Sequence, residues 1–246
     1  TAASGWMRGV RAPNEPRPVR PDTGPPREDP VRLIMDDDLA GKIIRRASRA
    51  GVEIDLSLAA ALAEYVELVK YWNRRVNLTG LSTDARGLDR LVIEPVVAAQ
   101  YLPVGVRSVI DLGSGGGSPA VPLKLVSPGL RIRMVESRRK KAVFLRELVR
   151  RLGIEGVAVD NCRYEKLLEH PEVAGTADVV TVRGLRVSGT MLDGLSTLVR
   201  SGGLIFLFRG GRQEDGKLDI GDPLVWRGSY GLVDSLKSRL VILKRD

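Results

Sequence analysis

From Gly105 onward, short β-rich runs alternate with helical runs along the chain. Strands separated by helices form βαβ units, which build a mainly parallel sheet with helices on both faces. Two later apolar runs, residues 223–226 and 240–243, suit an antiparallel pair at the sheet edge. The alternation predicts an α/β fold with a mostly parallel, seven-stranded sheet. The predicted strands before that edge pair are Ser108–Leu112, Arg131–Val135, 157–159, 178–182 and 204–208, and the predicted helices are a segment ending near Val126, 140–152 and 190–199.

Residues 1–34 differ in composition from the rest of the chain, because they are rich in proline, arginine and glycine and contain few large apolar residues. Such a segment cannot bury enough apolar surface to offset the entropy lost on ordering. We therefore expect a disordered tail. The chain begins at Thr1, and both Met7 and Met35 are candidate translation starts, so the sequence leaves open whether the tail belongs to the natural protein.

Residues 35–104 are predicted to form a helical region that precedes the sheet of residues 105–246. One apolar stripe with helical spacing consists of Leu58, Leu62, Tyr65, Val69 and Trp72,. Ser57 is in position to cap this helix. A second helix is predicted over residues 88–101, where Pro95 interrupts the backbone hydrogen bonding.

Charge indicates the kind of partner. The formal net charge is +9 and the pI about 10.0. Residues 131–151 contain nine lysines or arginines and two acids. Such a field attracts polyanions, chiefly nucleic acid, although a basic surface without that role is the alternative. No apolar run is long enough to span a membrane, so we expect no membrane association.

Few residues of the chain carry soft-ligand or nucleophilic chemistry. Cys162 is the single cysteine and His170 the single histidine, so we expect neither an intramolecular disulfide nor a metal site,. A lone cysteine fits a reducing compartment, and the expected location is the cytoplasm. A nucleophilic role for Cys162 lacks a partner base.

The strongest local motif is the run VIDLGSGGG at residues 109–117, in which a strand enters a glycine loop that should open a helix. Glycines permit tight turns and close ligand approach, and a helix N-terminus offers free amide donors. The carboxylate of Asp111 suits the cationic amino group of a methionine moiety better than a pyrophosphate. Glu136 ends the next predicted strand, where a carboxylate can accept ribose hydroxyls. We therefore expect S-adenosylmethionine as cofactor, bound by Asp111, Gly115 and Glu136, on a Rossmann-like class I methyltransferase fold.

Several segments carry a resemblance to one family. They are residues 72–79 (WNRRVNLT), 111–122 (DLGSGGGSPAVP), 137–146 (SRRKKAVFLR), 163–165 (RYE) and 178–183 (DVVTVR). In this order and spacing, over about residues 56–211, they resemble the glucose-inhibited division protein B family, the small-subunit ribosomal RNA guanine-N7 methyltransferases. The resemblance implies cofactor contacts from Gly113, Ser118, Tyr164, Glu165 and Arg183. Separately, the clustered positive charge favours RNA contacts from Arg138, Arg139, Lys140 and Lys141.

The chain keeps most features expected to face the cofactor and departs from the family pattern where the RNA base or its pocket is expected. The family usually has His-x-x-Asp-Ser before the sheet, where this chain has Leu91 and Glu94-Pro95. The S-R-A triplet after the fourth parallel strand reads Val182-Arg183-Gly184. The methyltransferase assignment is therefore better supported than the nucleotide target.

The resemblance implies methyl transfer to N7 of a guanine in small-subunit ribosomal RNA or in an assembly intermediate of the subunit. The N7 lone pair needs no proton removal, so no catalytic base is expected, and Arg183 is assigned a positioning role. A monomer is expected. The alternatives are a small-molecule methyltransferase and a non-catalytic paralogue that binds S-adenosylmethionine or RNA. A nicotinamide dehydrogenase is disfavoured by the glycine spacing.

Overall fold

The computed structural model describes residues 38–78, 84–210 and 218–246. The expected tail, residues 1–34, and the last residue of the WNRRVNLT segment, Thr79, lie outside the described residues. Among the residues described, no helix is long and apolar enough to cross a membrane.

The core of the fold is one sheet of seven strands. The strands are β1 (Ser108–Leu112), β2 (Arg131–Val135), β3 (Val157–Asp160), β4 (Ala177–Arg183), β5 (Val199–Arg209), β6 (Leu224–Val233) and β7 (Ser238–Arg245). Their order is β3-β2-β1-β4-β5-β7-β6. The first five strands pair in parallel, and β7 pairs antiparallel with both β5 and β6. The predicted fold class is confirmed, although β6 is longer than the edge strand expected at residues 223–226.

Helices cover both faces of this sheet. They are α1 (Leu39–Arg49), α2 (Leu56–Val76), α3 (Ala85–Leu88), α4 (Glu94–Ala98), α5 (Ala120–Val126), α6 (Arg139–Arg151), α7 (Tyr164–Leu168) and α8 (Gly189–Leu198). On one face, residues of α1, α2 and α4–α6 share a buried cluster with Val109 and Val179. On the other face, α7 and α8 pack against Ile110 and Val180. The N-terminal helices therefore share one hydrophobic core with the sheet.

The long helix α2 buries the predicted apolar stripe in the cluster that it shares with α1, α5 and α6. Leu62, Tyr65 and Val69 are fully buried, as the stripe predicts. The predicted cap at Ser57 is wrong: the helix begins at Leu56, and the side chain of Asp55 accepts a hydrogen bond from the Leu58 amide at 2.7 Å. A carboxylate two residues earlier caps as effectively as a hydroxyl, and it places the helix start before Ser57.

The second predicted helix is divided into short segments. α3 leads into a π-helical turn at Asp89–Ile93, and α4 follows, with a 3₁₀ turn at Ala99–Tyr101. The amide of Glu94 bonds the carbonyl of Asp89 five residues back, which is the π-helical pattern,. Pro95 stands in the first turn of α4, directly after the π-helical turn, and its missing N–H interrupts the helical hydrogen bonding at this junction,. The interruption expected at Pro95 therefore becomes the start of a new helical segment.

Side chains alternate in direction along β1 and β4, and the polar side chains near the carboxyl ends of both strands lie on the face of the sheet that is covered by α2. Ile110, Val180 and Val182 belong to the opposite buried cluster. Asp111 and Thr181 are paired in register and fall on the α2 side,. Arg183, two residues after Thr181, falls on that side as well. A buried polar layer thus lies at the carboxyl ends of the two central strands.

Candidate cofactor site

The site lies where strand order reverses. From β1 the chain moves first to β2 and β3 on one side and later to β4 and β5 on the other. Loops leaving the carboxyl ends of β1 and β4 diverge at this point, which opens a crevice in α/β sheets. Leu112 and Val182 are the register partners at that edge. The glycine loop and Arg183 follow them directly.

The glycine loop turns back on itself at three residues with positive φ. Gly113, Gly115 and Gly117 have φ of +74°, +50° and +91°, a region that favours glycine,. The amides of Gly113 and Ser114 both donate to the Val135 carbonyl, at 2.9 and 3.2 Å, which ties the loop to the end of β2. A Cβ at Gly113 would lie 3.2 Å from the side chain of Leu185. Gly113 is exposed, so its backbone is open to a ligand.

Glu136 lies beside this loop, as the sequence predicts. Its Oε2 accepts a hydrogen bond from the Gly115 amide at 2.9 Å, and its Oε1 accepts one from the Arg138 amide at 2.8 Å. The residue is only 6% exposed. A carboxylate has about four acceptor positions, so two remain for hydroxyl donors. Asn161, for which no sequence motif predicted a role, donates to the Glu136 carbonyl at 2.9 Å.

Asp111 is in the site but not on its surface. The residue is 0% exposed, and its Oδ1 accepts a hydrogen bond from the Thr181 hydroxyl at 2.6 Å. Its Oδ2 has no hydrogen-bond partner among the described residues. Burial raises the pKa of Asp111 to about 6. The expected direct contact with a methionine amino group is not what the structure arranges, because strand alternation turns this carboxylate inward under α2.

Arg183 is held by three partners at the end of β4. Its guanidinium forms an ion pair with Glu94 at 2.9 Å and donates to the Ser118 hydroxyl at 3.0 Å and to the Arg90 carbonyl. The side chain is 14% exposed. Burial lowers the pKa of Arg183, and the charge of Glu94 opposes that shift. The structure thus brings Ser118 and Arg183 into direct contact.

Tyr164 and Glu165 open α7, just after β3, at the same edge of the sheet. Tyr164 is half-buried and Glu165 is exposed. Burial raises the pKa of the Tyr164 hydroxyl, and the nearby Glu165 adds to the rise. Parallel pairing of β3 with β2 puts the start of α7 beside the turn that holds Glu136.

The four cations assigned to RNA divide into two kinds. Arg138, Arg139 and Lys140 are exposed at the N-terminal end of α6. Lys141 instead donates from Nζ to the Leu78 carbonyl at 2.5 Å and is partly buried. Burial lowers the pKa of this ammonium group. Lys141 therefore joins the end of α2 to α6, which makes a structural contact its main visible role.

Tyr65 supports the loop from the opposite side, although the sequence marked it only as a core residue. Its hydroxyl donates to the Gly116 carbonyl at 2.9 Å, and the side chain is fully buried. Burial raises the pKa of Tyr65, so the hydroxyl keeps the proton that it donates. Glu94 likewise emerges as a partner of the site. Neither contact has a local sequence signal, because each joins residues more than fifty positions apart.

These residues fit S-adenosylmethionine. The loop offers exposed backbone at Gly113, the Glu136 carboxylate offers free acceptor positions beside Gly115, and Tyr164 offers a half-buried ring. Two carboxylates near the loop favour a cationic ligand over a pyrophosphate. A Cβ at Gly113 would press on Leu185 and narrow the space next to the exposed backbone. Residues that could hold the cofactor are therefore Gly113, Gly115, Ser118, Glu136 and Tyr164. The predicted cofactor contacts of Glu165 and Arg183 stay predictions.

Solved structures share the overall fold. A putative O-methyltransferase from Klebsiella pneumoniae aligns over 83% of this chain and 96% of its own, with a TM-score of 0.58 and 13% identity. A point mutant of MtNAS, solved in complex with S-adenosylmethionine, aligns over 84% of this chain and 97% of its own, with a TM-score of 0.52 and 17% identity. Likeness at this level of identity concerns the fold alone, which is that of Rossmann-like methyltransferases.

Relatives found by sequence comparison have higher identity to this chain than these solved structures do. Ribosomal RNA small subunit methyltransferase G of Stenotrophomonas maltophilia (strain K279a) is 34% identical over 161 residues, which cover 65% of this chain and 73% of the relative. The protein of the same name from Roseiflexus castenholzii is 31% identical over 174 residues, 71% of this chain and 74% of the relative. The family model described as GidB, rRNA small subunit methyltransferase G, matches residues 58–219. The chain belongs to this GidB family of S-adenosylmethionine-dependent methyltransferases.

Proposed function

We propose that this enzyme transfers a methyl group from S-adenosylmethionine to N7 of a guanine in small-subunit ribosomal RNA. The observation that carries the proposal is a group of exposed cations, Arg138, Arg139 and Lys140, that directly follows the carboxylate beside the glycine loop. A phosphate backbone bound there would run along the rim of the cofactor site. Family membership and the names of the relatives support the same substrate class. A ribosomal RNA substrate would place the enzyme in the cytoplasm.

The basic surface continues onto the end of α2. Arg74 and Arg75 are exposed in its last turn, and Arg75 lies 4.0 Å above the Tyr71 ring. The two helices touch through Trp72 and Phe144, whose ring centroids are 5.8 Å apart. We call Arg74, Arg75, Arg138, Arg139 and Lys140 the basic surface. Arginines both neutralise phosphate and stack on bases, so the surface suits single-stranded or looped RNA.

The protein's part in the reaction is alignment. Bound S-adenosylmethionine supplies a methyl group activated by its sulfonium, so the chain need not activate it further. Glu136 and the glycine loop would orient the ribose and the methionine portion, while the basic surface would hold the RNA. An N7 lone pair attacks without losing a proton, so correct placement is the main requirement. His170 fits no catalytic role, because it lies in an exposed connection 3.0 Å from Glu172.

The test is single-turnover methylation of unmodified small-subunit RNA, as naked RNA and as assembled subunits, with nucleosides identified by mass spectrometry. The proposal predicts N7-methylguanosine at one position. A product methylated at an exocyclic amine or a hydroxyl would contradict the N7 target. Transfer to small molecules only, or cofactor binding without any transfer, would favour the alternatives. Gel filtration with light scattering would check the proposed monomer.

Charge reversal tests the basic surface separately. The double variant Arg138→Glu/Arg139→Glu should weaken RNA binding at least tenfold. The slope of log affinity against log salt should fall by roughly 0.7–0.9 for each phosphate that the variant no longer neutralises. Cofactor affinity should stay nearly unchanged. The matched control is Arg227→Glu, an exposed arginine on β6 at the opposite edge of the sheet. Equal RNA affinity in the double variant and the control would show that the basic surface does not bind RNA and is an ordinary solvated helix face.

A further inference from the structure

The contacts of Arg183 join three parts of the chain. Its Nη2 lies 2.9 Å from Oε2 of Glu94, in the first turn of α4. Its Nη1 donates to the hydroxyl of Ser118 at 3.0 Å and to the carbonyl of Arg90 in the π-helical turn. The N-terminal helical region, the carboxyl end of β4 and the end of the glycine loop therefore meet at one guanidinium.

Glu94 determines where this guanidinium lies. The side chains of Glu94 and Arg183 are 5% and 14% exposed, so neither is well solvated. A buried charge is strongly unfavourable unless a partner offsets its desolvation. The planar guanidinium can also serve two partners at fixed angles. Pairing with Glu94 thus orients Arg183 so that its other nitrogen faces Ser118, while the Phe208 ring lies 5.8 Å from its central carbon.

Ser118 is the last residue of the glycine loop, directly before Pro119, the N-cap of α5. A donor fixed against the Ser118 hydroxyl restrains the loop at the end opposite Gly113. We propose that Glu94 is a positioning residue for cofactor binding, acting through Arg183 to hold Ser118 and the loop in a binding-competent shape. The proposal needs only the S-adenosylmethionine site and is independent of the RNA target.

The first measurement is calorimetric binding of S-adenosylmethionine to Glu94→Gln, with thermal unfolding to verify that the variant is folded. The amide keeps the size and an acceptor oxygen but loses the charge that orients Arg183. Affinity should fall at least tenfold. Glu94→Asp keeps the charge with a shorter reach and should lie between wild type and Glu94→Gln. Unchanged affinity in folded Glu94→Gln would overturn the proposal.

A double-mutant cycle separates positioning from a general structural role. In the Arg183→Met background, adding Glu94→Gln should change cofactor affinity less than twofold, because the residue through which Glu94 acts is gone. Equal losses in both backgrounds would overturn the proposal. If Glu94→Gln alone fails to fold, Glu94→Asp supplies the affinity comparison, and an affinity equal to that of wild type in this folded variant would overturn the proposal. Calorimetry requires no RNA, so an incorrect RNA target would leave this result intact.

Discussion

Replacing Asp111 with asparagine is expected to stabilise the folded chain at neutral pH. The wild-type carboxylate is fully buried, with Oδ1 bonded to the Thr181 hydroxyl and Oδ2 without a hydrogen-bond partner among the described residues. Asparagine keeps the shape of the side chain and an acceptor for Thr181. Its NH2 group replaces Oδ2, which has no partner among the described residues, so buried N–H donors offset part of the gain,. It removes the charge, whose burial without full hydrogen bonding is the unfavourable element of this site.

The magnitude follows from the pKa. Burial raises the pKa of Asp111 from 3.8 to about 6. At about 1.36 kcal/mol per unit, ionised Asp111 costs the folded state about 3 kcal/mol. The folded chain binds this proton more tightly than the unfolded chain does. The cost is therefore fully present above pH 6 and disappears as the pH falls from 6 toward 4.

Urea denaturation of wild type and Asp111→Asn at pH 7.5 and pH 4 measures the difference. The variant should be more stable by up to about 3 kcal/mol at pH 7.5, and the difference should shrink below about 1 kcal/mol at pH 4. A stability difference that is the same at pH 7.5 and at pH 4, with an unchanged dependence on urea, would refute the reasoning. It would show that the negative charge is compensated, most directly by Arg183.

Asp178 provides the matched control. Burial would raise its pKa, but hydrogen bonds from Arg200, from the amides of Arg107 and Ser108 and from the Ser108 hydroxyl hold the pKa well below its usual range. Its stabilising contribution is present at neutral pH and is lost as the pH falls below about 4. Asp178→Asn should therefore destabilise the fold at pH 7.5, the opposite sign from Asp111→Asn.

Three further variants test single contacts. Gly113→Ala should weaken S-adenosylmethionine binding at least tenfold in calorimetry, because the residue has φ +74° and the added Cβ meets Leu185 at 3.2 Å; an unchanged affinity would argue against close backbone approach. Tyr65→Phe should lower the free energy of unfolding by about 1–3 kcal/mol, since it leaves the buried Gly116 carbonyl without its donor,; urea denaturation measures it, and no change would mean that the hydroxyl is dispensable. His170→Ala should leave single-turnover methylation within twofold of wild type at pH 7.5, whereas a tenfold loss would indicate a required base.

Local sequence patterns predicted most of the fold. The first four strands fall within one or two residues of the predicted runs, because short apolar runs bounded by turn residues are readable over four to eight positions,. By contrast, β5 begins five residues earlier than predicted and β6 extends seven residues further. The glycine loop and Glu136 were predicted for the same reason, since a strand, its loop and the next strand are contiguous. The short helix α7 was missed, because five residues are too few to show helical periodicity.

The long-range contacts that shape the site could not be predicted from local sequence patterns. Tyr65 reaches the loop across 51 positions and Arg183 reaches Ser118 across 65. The first contact depends on how α2 packs over the glycine loop and the second on the pairing of β1 with β4, and no local pattern encodes either. The sequence shows that Glu94 stands where the family usually has aspartate. The role of Glu94 depends on its ion pair with Arg183, which only the structure shows. The inward direction of Asp111 was predictable from strand alternation, since Ile110 and Leu112 belong to the opposite apolar face,.

Methyl transfer without a catalytic base is compatible with a cofactor affinity that depends on pH. Attack by N7 requires no proton removal, and His170 lies on the connection that enters β4 at its amino end, across the sheet from the crevice. Asp111 lies under the glycine loop and changes charge near pH 6, and its negative form favours a cationic cofactor,. A rise in cofactor affinity around pH 6 would therefore come from Asp111. His170→Ala should keep that rise and Asp111→Asn should lose it, whereas the reverse result would place the titrating group outside the buried polar layer.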